Sequence, residues 1–454
     1  MMKIKYFGTD GIRGIVGNFP ITPDFFFKLG VVIGRLLFSC KSKSIVIGRD
    51  TRVSGDLLES ALRFGLFSSD VSIISVGIVP TSAIAYFVKL FNLEVGIMIS
   101  ASHNQYQDNG IKIFIKGGLK LPILLEQQIE QELKKLVINR VILKLGSIIY
   151  RDSWKYKYVD FCKSTLSKNL SFKNVTIVLD CANGSTYLVA PKIFKDLGAD
   201  VISIFNYPNG YNINNKCGTT NLNNLRKRVI SEKADLGIAF DGDGDRVLFI
   251  DHIGNIVNGD QILYILAKNY QKNKKLKGGV VCTQFSNKGL LLALNKHISY
   301  VQVSVGDRNI LNKLQEKNWI LGAESSGHII LLDKISVGDG IIASLQIVKI
   351  IIEEKTTLKN LCSDIRLLPQ IIVNIKKYND INFLKHFKVR SYLSKYRKFL
   401  GKHSRIILRL SGTEKCVRIM IEGYSSIQVN NFSKELIRLI TSIEKVDCSV
   451  VTVC

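Results

Sequence analysis

Short apolar runs alternate with helix-period segments along almost the whole chain, and this alternation restricts it to an α/β architecture. KSIVIG (43–48) reads as a strand and SGDLLESALRFGLF (54–67) as a helix with Ser54 at its N-cap. VSIISVG (71–77) and EVGIMIS (94–100) are further strands, separated by the helical SAIAYFVKLF (82–91). A polar, weakly periodic stretch near Gly146–Lys157 then marks a boundary. The second block holds the strands NVTIVLD (174–180), ADVISIF (199–205), ADLGIAF (234–240) and RVLFID (246–251). The third holds GGVVCTQ (278–284), YVQVSV (300–305) and a strand–loop–strand unit, ILGAESSGHIILLD (320–333). After Pro369 come the strand QIIVNI, a Lys-rich helical region, two strands around a polar loop in RIILRLSGTEKCVRIMIEG (405–423), and a closing helix. The expected organisation is α/β: three similar α/β domains over residues 1–154, 155–255 and 256–368, and a smaller C-terminal α+β domain over 369–454. The blocks share a pattern of elements, with no fixed-period repeat.

A chain of 454 residues with 46% hydrophobic and 22% charged residues can bury several cores. Its formal net charge of +26 admits nucleic acid, an anionic membrane or an anionic small molecule as partner. The Lys and Arg residues are dispersed, no run of five or six occurs, and no RNA-binding aromatic signature is present, so the charge reads as compositional and a nucleic-acid partner is not expected. The nine cysteines form no C-x-x-C pair, which argues against a disulfide framework. MMKIKYFGTDGIRG breaks the apolar core that a signal peptide needs, and IIASLQIVKIII (341–352) is too short for a membrane span. The expectation is a soluble protein of a reducing, cytoplasmic compartment with no membrane partner.

Four loops carry chemistry. In DGDGDR (241–246), Asp241, Asp243 and Asp245 alternate with glycines, so three carboxylates can converge on one hard cation, Mg²⁺, Ca²⁺ or Mn²⁺. An EF-hand is excluded, because its required Gly and Glu positions hold Arg246 and His252. SASHNQYQDNGIK (100–112) places Ser102 at the mouth of a strand. His103 is adjacent to it and no G-x-S-x-G elbow exists, so a hydrolase triad is poorly supported. By itself the segment reads as a capping turn. A phosphorylated Ser102 would instead supply an oxygen to the cation, with Lys112, at the far end of the loop, balancing charge or moving protons. GAESSGHII (322–330) offers Glu324 and Ser326 to sugar hydroxyls or an amine, and His328 as a proton carrier. RLSGTEKCVR (409–418) gathers Arg409, Ser411, Gly412, Thr413 and Arg418 as donors for an anion. GDGIIA (338–343) lacks a preceding strand and an acidic ribose partner, so it reads as a helix start; no Walker A sequence occurs.

The ordered set KYFGTDGIRG (5–14), GRDTRVSG (48–55), ISASHN (99–104), DCANG (180–184), AFDGDGDR (239–246), VGDR (305–308), GAESSGH (322–328) and R-x-S-G-T-E (409–414) resembles the α-D-phosphohexomutase superfamily, most closely its phosphoglucosamine mutase branch, over essentially the whole chain. The resemblance implies four domains around a central active-site cleft, the first three with mixed sheets. It implies a phosphorylated Ser102, and one Mg²⁺ held by Asp241, Asp243 and Asp245 and completed by the phosphate on Ser102. Arg13, Lys112, Arg246 and Arg308 would line the cleft, with Arg13, Lys112 and His328 assisting catalysis. Glu324, Ser326, Asp307 and Arg308 would bind sugar; Arg409, Ser411, Gly412, Thr413, Arg418 and Arg246 would bind phosphate. The implied reaction interconverts glucosamine 6-phosphate and glucosamine 1-phosphate, feeding UDP-N-acetylglucosamine and cell-wall precursor synthesis. Its primer would be glucosamine or glucose 1,6-bisphosphate, its partner a small sugar phosphate, and a homodimer is permitted. Two departures remove a fixed φ: Gln105 and Lys415 stand where the superfamily usually has proline. The competing readings are a phosphoglucomutase or phosphomannomutase of the same superfamily, a Mg²⁺-dependent phosphatase, and a nucleic-acid-binding protein.

Overall fold

The computed structural model describes residues 5–37, 44–137, 146–376, 386–399, 404–410, 416–443 and 447–452. Among them the strands form four sheets. In the first, Ile148–Tyr150, Ser72–Ile78, Ser44–Arg49 and Val95–Ile99 lie side by side and parallel, and Asp108–Ile115 closes antiparallel on Val95–Ile99. In the second, Asp200–Ile204, Thr176–Asp180 and Leu236–Phe240 are parallel and Val247–Asp251 folds back antiparallel. In the third, Ser299–Val303, Gly279–Thr283 and Leu321–Ala323 are parallel and Ile329–Leu331 folds back. The reversal has the same place in each sheet. A fully buried parallel strand ends (VGIMI, LGIAF or LGA) and the chain turns back beside it. The three turns are the serine loop, the acidic loop and the Glu324–His328 loop. Three candidate loops therefore occupy equivalent positions at the carboxyl ends of parallel strands, where open α/β sheets bind ligands.

Three helix starts illustrate how local sequence sets the elements. Thr22 caps Pro23–Leu36 by accepting from the Phe25 N–H, with Pro23 in the first turn. Asn258 and Gln261 form a reciprocal capping box on Gly259–Lys272. Asp339 accepts from the Ile342 N–H at 2.9 Å, so GDGIIA does begin a helix, Gly340–Glu353. Ser54 precedes the helix Gly55–Phe67 but makes no capping bond; its hydroxyl accepts instead from Asn109 Nδ2 at 2.8 Å.

Other expectations change. Gly146–Lys157 holds the strand Ile148–Tyr150 and the start of the helix Trp154–Ser164, whose Trp154 stacks on Phe91 with ring centroids 3.8 Å apart. The stretch is therefore packed against the first block. The cut at 255/256 falls within an antiparallel pairing, because Ile256–Val257 bonds to Phe249 and Ile250 of the second sheet. After the helix Ser426–Ile443 the chain adds a strand, Asp447–Thr452, on Gln370–Lys376, so the fourth sheet is antiparallel throughout. One continuous apolar cluster runs from Phe87 and Phe114 through Phe172 and Phe240 to Leu266 and Leu345, so the first three blocks share a core. The fourth block has its own, around Phe432 and Ile419.

Third and fourth blocks meet over buried charge. Glu422 pairs with Arg405 at 2.9 Å and accepts from the Lys288 N–H and Gln370 Nε2. Nearby, Asp260 is buried, one oxygen accepting from the Asn287 N–H at 2.8 Å and the other lacking a hydrogen-bond partner. Burial pushes its pKa up to about 7. The folded state thus holds a proton that an unfolded carboxyl, with a pKa of about 3.9, releases earlier. That contribution to stability is present below about pH 4 and is lost as pH rises through about 7. Asp260→Asn keeps the acceptor and stays neutral. Its denaturation midpoint is expected to fall less between pH 5 and 8 than that of the parent, and parallel pH profiles would refute the assignment.

Candidate active site

The strand Val95–Ile99 delivers Ser102 into a left-handed conformation (φ 54°). Ser100 Oγ donates to Asp50 at 2.6 Å and accepts from the Ser102 N–H at 2.8 Å. The fully buried Arg52 gathers the loop's carbonyls: Ser102 at 3.0 Å, Asn104 at 2.7 Å, Asp108 at 2.9 Å, and Gln105. Asn214, from the second block, donates to the Ser102 and Asn104 carbonyls, each at 2.8 Å. The turn with Gln105 in place of proline is therefore held by donors from two blocks. With its backbone held, Ser102 Oγ donates to Asp241 Oδ2 at 2.7 Å.

Asp241, Asp243 and Asp245 occupy the turn between Leu236–Phe240 and Val247–Asp251, where Gly244 adopts φ 72°. All three are buried, with one oxygen of each within 4.8 Å of the others. Burial, then repulsion from Asp245 and Asp243, raises the Asp241 pKa to about 8. Burial also opposes charge on Asp245, but Lys112 and then His328 overcome it and hold this carboxyl well below its usual range. Asp243 Oδ1 and Asp245 Oδ1 are buried without a hydrogen-bond partner. Unsatisfied carboxylate oxygens facing one another fit a hard divalent cation.

Lys112 lies within the strand Asp108–Ile115, opposite Met98, and not at the end of a loop as expected. Its ammonium stands 2.7 Å from Asp243, 2.7 Å from Asp245 and 2.9 Å from Asp10. Burial works against its charge, but Asp10, Asp243 and Asp245 prevail and raise its pKa well above the ordinary lysine value. Of the two roles open to it, these contacts fit charge balance.

A cavity of about 380 Å³ opens beside these groups. Arg13, Arg246, Asp307, Glu324, Ser326, His328 and Arg418 line it. Glu324 accepts from the Gly306 N–H (2.8 Å) and from the Ser326 hydroxyl (3.2 Å). A β-bridge between Arg246 and His328 joins the second and third blocks at the rim. His328 faces Asp245 through Nδ1 and Asp307 through Nε2, each at 3.7 Å. Burial disfavours its cation, but Asp245 and Asp307 outweigh that and raise its pKa. Arg308 departs from expectation: it turns from the cavity into a two-point ion pair with Glu126. Asp307 is likewise engaged by Lys120. Arg13 pairs with Asp10. Of the expected phosphate loop, Ser411, Gly412 and Thr413 lie outside the described residues, and of Arg409 only the backbone is described, paired with Arg418.

Sequence reasoning missed Arg52, Asn214, His103, Asp10 and Lys120. His103 Nδ1 lies 3.0 Å from Arg246, and burial followed by Arg246 and Arg13 pushes its pKa well down. Asp10 and Arg52 fall inside the segments GTDGIRG and GRDTRVSG, which were a usable signal; nothing local singles out Lys120 or Asn214.

The chain matches the models of phosphoglucomutase/phosphomannomutase alpha/beta/alpha domains I (residues 4–138), II (156–254) and III (258–367) and of the C-terminal domain (373–439). It is 63% identical to a phosphoglucosamine mutase of Buchnera aphidicola subsp. Baizongia pistaciae over 99% of both chains. It is 48% identical to a phosphoglucosamine mutase of Cronobacter sakazakii over 96% of this chain and 98% of that one. Among solved structures, a phosphoglucomutase/phosphomannomutase family protein of Burkholderia thailandensis superposes with a TM-score of 0.78 at 21% identity, covering 97% of this chain and 98% of that one. An Aspergillus fumigatus N-acetylphosphoglucosamine mutase in complex with GlcNAc-6P and magnesium shares the fold, with a TM-score of 0.65 at 16% identity over 97% and 96%. Four domain models in order and this identity over the full length establish that the chain belongs to the phosphoglucosamine mutase family of the phosphohexomutase superfamily.

Proposed function

We propose that this enzyme interconverts glucosamine 6-phosphate and glucosamine 1-phosphate through a phosphorylated Ser102. The observation that carries the reading is the 2.7 Å contact between Ser102 Oγ and Asp241, which joins a hydroxyl of the first block to the acidic trio of the second. Phospho-Ser102 gives its phosphoryl to the free O1 or O6 of the sugar phosphate: the Ser102 O–P bond breaks as the sugar O–P bond forms. The bisphosphate turns over, and the phosphoryl at its other end returns to Ser102. His328, at the cavity wall, is the group assigned to take and return the sugar hydroxyl proton. Asp241, Asp243 and Asp245 would hold Mg²⁺, which when bound neutralises charge on the phosphoryl oxygens. Lys112 keeps the trio from repelling itself apart. Arg13, Arg246 and Arg418 supply positive charge to the phosphates, and Glu324 and Ser326 face the sugar. Glucosamine or glucose 1,6-bisphosphate serves as primer. No helix among the described residues is long and apolar enough to cross a membrane.

The test compares rates on glucosamine, glucose and mannose 6-phosphates with Mg²⁺ and a trace of glucose 1,6-bisphosphate. The expected result is a preference for the glucosamine ester and no release of inorganic phosphate. Equal or faster turnover of the glucose or mannose ester would move the chain to the neighbouring branch, and net phosphate release would make it a phosphatase.

A further inference from the structure

Beneath the cavity, six ionisable groups, acid and base in alternation, close into a ring; Lys112, Asp245, Asp307 and His328 are buried and Asp10 and Lys120 partly buried. Asp245 meets Lys112 at 2.7 Å, Lys112 meets Asp10 at 2.9 Å, and Asp10 meets Lys120 at 2.7 Å. Lys120 pairs with Asp307, and His328 closes the ring 3.7 Å from Asp307 and 3.7 Å from Asp245. Three blocks contribute: Asp10, Lys112 and Lys120 from the first, Asp245 from the second, Asp307 and His328 from the third. Lys120 has a special place in it. It sits on a two-residue strand, Leu119–Lys120, at the margin of the first sheet, and its ammonium spans from the first block to Asp307 at the start of the helix Asp307–Lys317. Its side chain is 13% exposed, so solvent does little to weaken the bridge. On another side His328 is confined by backbone, since a Cβ built at Gly338 would lie 2.3 Å from its Nε2. The imidazole thus lies between two carboxylates, 3.7 Å from each and with no hydrogen bond to its Nε2 among the described residues, and against a glycine; Lys120 pairs with the carboxylate on the Nε2 side.

We propose that Lys120 is a positioning residue for the mutase reaction: by tying Asp307 of the third block to Asp10 of the first, it fixes His328 against the cavity. The proposal rests on the reading of the chain as a mutase with His328 at the reacting hydroxyl. Lys120 touches neither the acidic trio nor Ser102; of its two carboxylates, Asp10 leads to Arg13 and Lys112 and Asp307 leads to His328, and its effect on the chemistry is assigned to the second route. Losing the bridge frees Asp307 to shift, and displacement of a catalytic group by about 1 Å costs on the order of a hundredfold in rate.

The experiment measures kcat and KM for glucosamine 6-phosphate in Lys120→Met, Lys120→Arg, His328→Gln and the Lys120→Met/His328→Gln double variant. Lys120→Met is expected to lower kcat about 10- to 100-fold with KM changed by less than about threefold. Lys120→Arg, which keeps the charge, is expected to recover most of the loss. In the His328→Gln background, Lys120→Met is expected to cost less than about threefold, because a residue acting through His328 has nothing left to position. Additive losses in the double variant, a rise in KM at constant kcat, or unchanged kinetics would each overturn the proposal. Should Lys120→Met fail to fold, Asp307→Asn takes its place with the same expected pattern and the same refuting outcomes. If the parent enzyme itself shows no mutase turnover, the functional reading fails and takes this proposal with it; a fully active parent beside unchanged Lys120→Met kinetics refutes the proposal alone.

Discussion

Ser102→Ala is expected to lower mutase turnover by about a thousandfold or more, because the proposed route has no phosphoryl carrier other than this oxygen. The loss should not be a folding effect. Ser102 Oγ donates to Asp241 at 2.7 Å and otherwise meets, among the described residues, only His103 Nδ1, at 3.5 Å, while the loop around it is fixed through carbonyls that alanine retains. The left-handed φ of 54° costs alanine on the order of 1 kcal/mol, a small part of the stability of a chain with several cores. A near-normal melting temperature with abolished turnover is the expected pair. Intact mass after incubation with glucose 1,6-bisphosphate adds a second readout: the parent gains one phosphate at Ser102 and the variant gains none. Turnover that survives in Ser102→Ala would remove the shuttle from consideration.

Asp243→Asn is expected to separate metal binding from stability. Asp243 accepts from Thr81 and lies 2.7 Å from Lys112 through one oxygen, and an amide oxygen can accept from both. The second oxygen, buried without a hydrogen-bond partner, becomes an amide nitrogen that cannot ligate the cation. Removing one of three crowded carboxylates also relieves the turn. The variant is therefore expected to melt within a few degrees of the metal-free parent. Added MgCl₂ should raise the parent's melting temperature by a few degrees, since a ligand present at 100 times its Kd contributes about 2.7 kcal/mol, and should leave the variant unmoved. Activity should fall by about a hundredfold or more, matching the loss that EDTA causes in the parent and that MgCl₂ reverses. A variant that keeps both its activity and its response to Mg²⁺ would show that the trio is not the metal centre.

Much of this was legible before any coordinates. Continuous apolar strands such as LGIAF and GVVCT can only be the buried centres of α/β sheets, and the helices between them follow from their period and caps. Glycines spaced between Asp241, Asp243 and Asp245 already announced a turn in which three carboxylates converge. Edge strands were harder to read: Ile148–Tyr150 is only three residues long, and both it and Asp447–Thr452 pair with strands far along the chain.

Side-chain partners were the larger gap. Lys112 and Arg308 both looked like cleft residues, yet one is locked among Asp10, Asp243 and Asp245 and the other is taken by Glu126. Asn214 and Lys120 carried no local mark at all.

By itself the sequence determined the α/β class, the order of the blocks and the identity of the loops that carry chemistry, because periodicity, turn residues and ligand types are local properties of the chain. Tertiary structure alone decided which charge neutralises which, since Lys112 and Asp245 are 133 residues apart in sequence and 2.7 Å apart in space. Ion pairing depends on distance and on exclusion of water, and both exist only once the sheets have packed around the cleft.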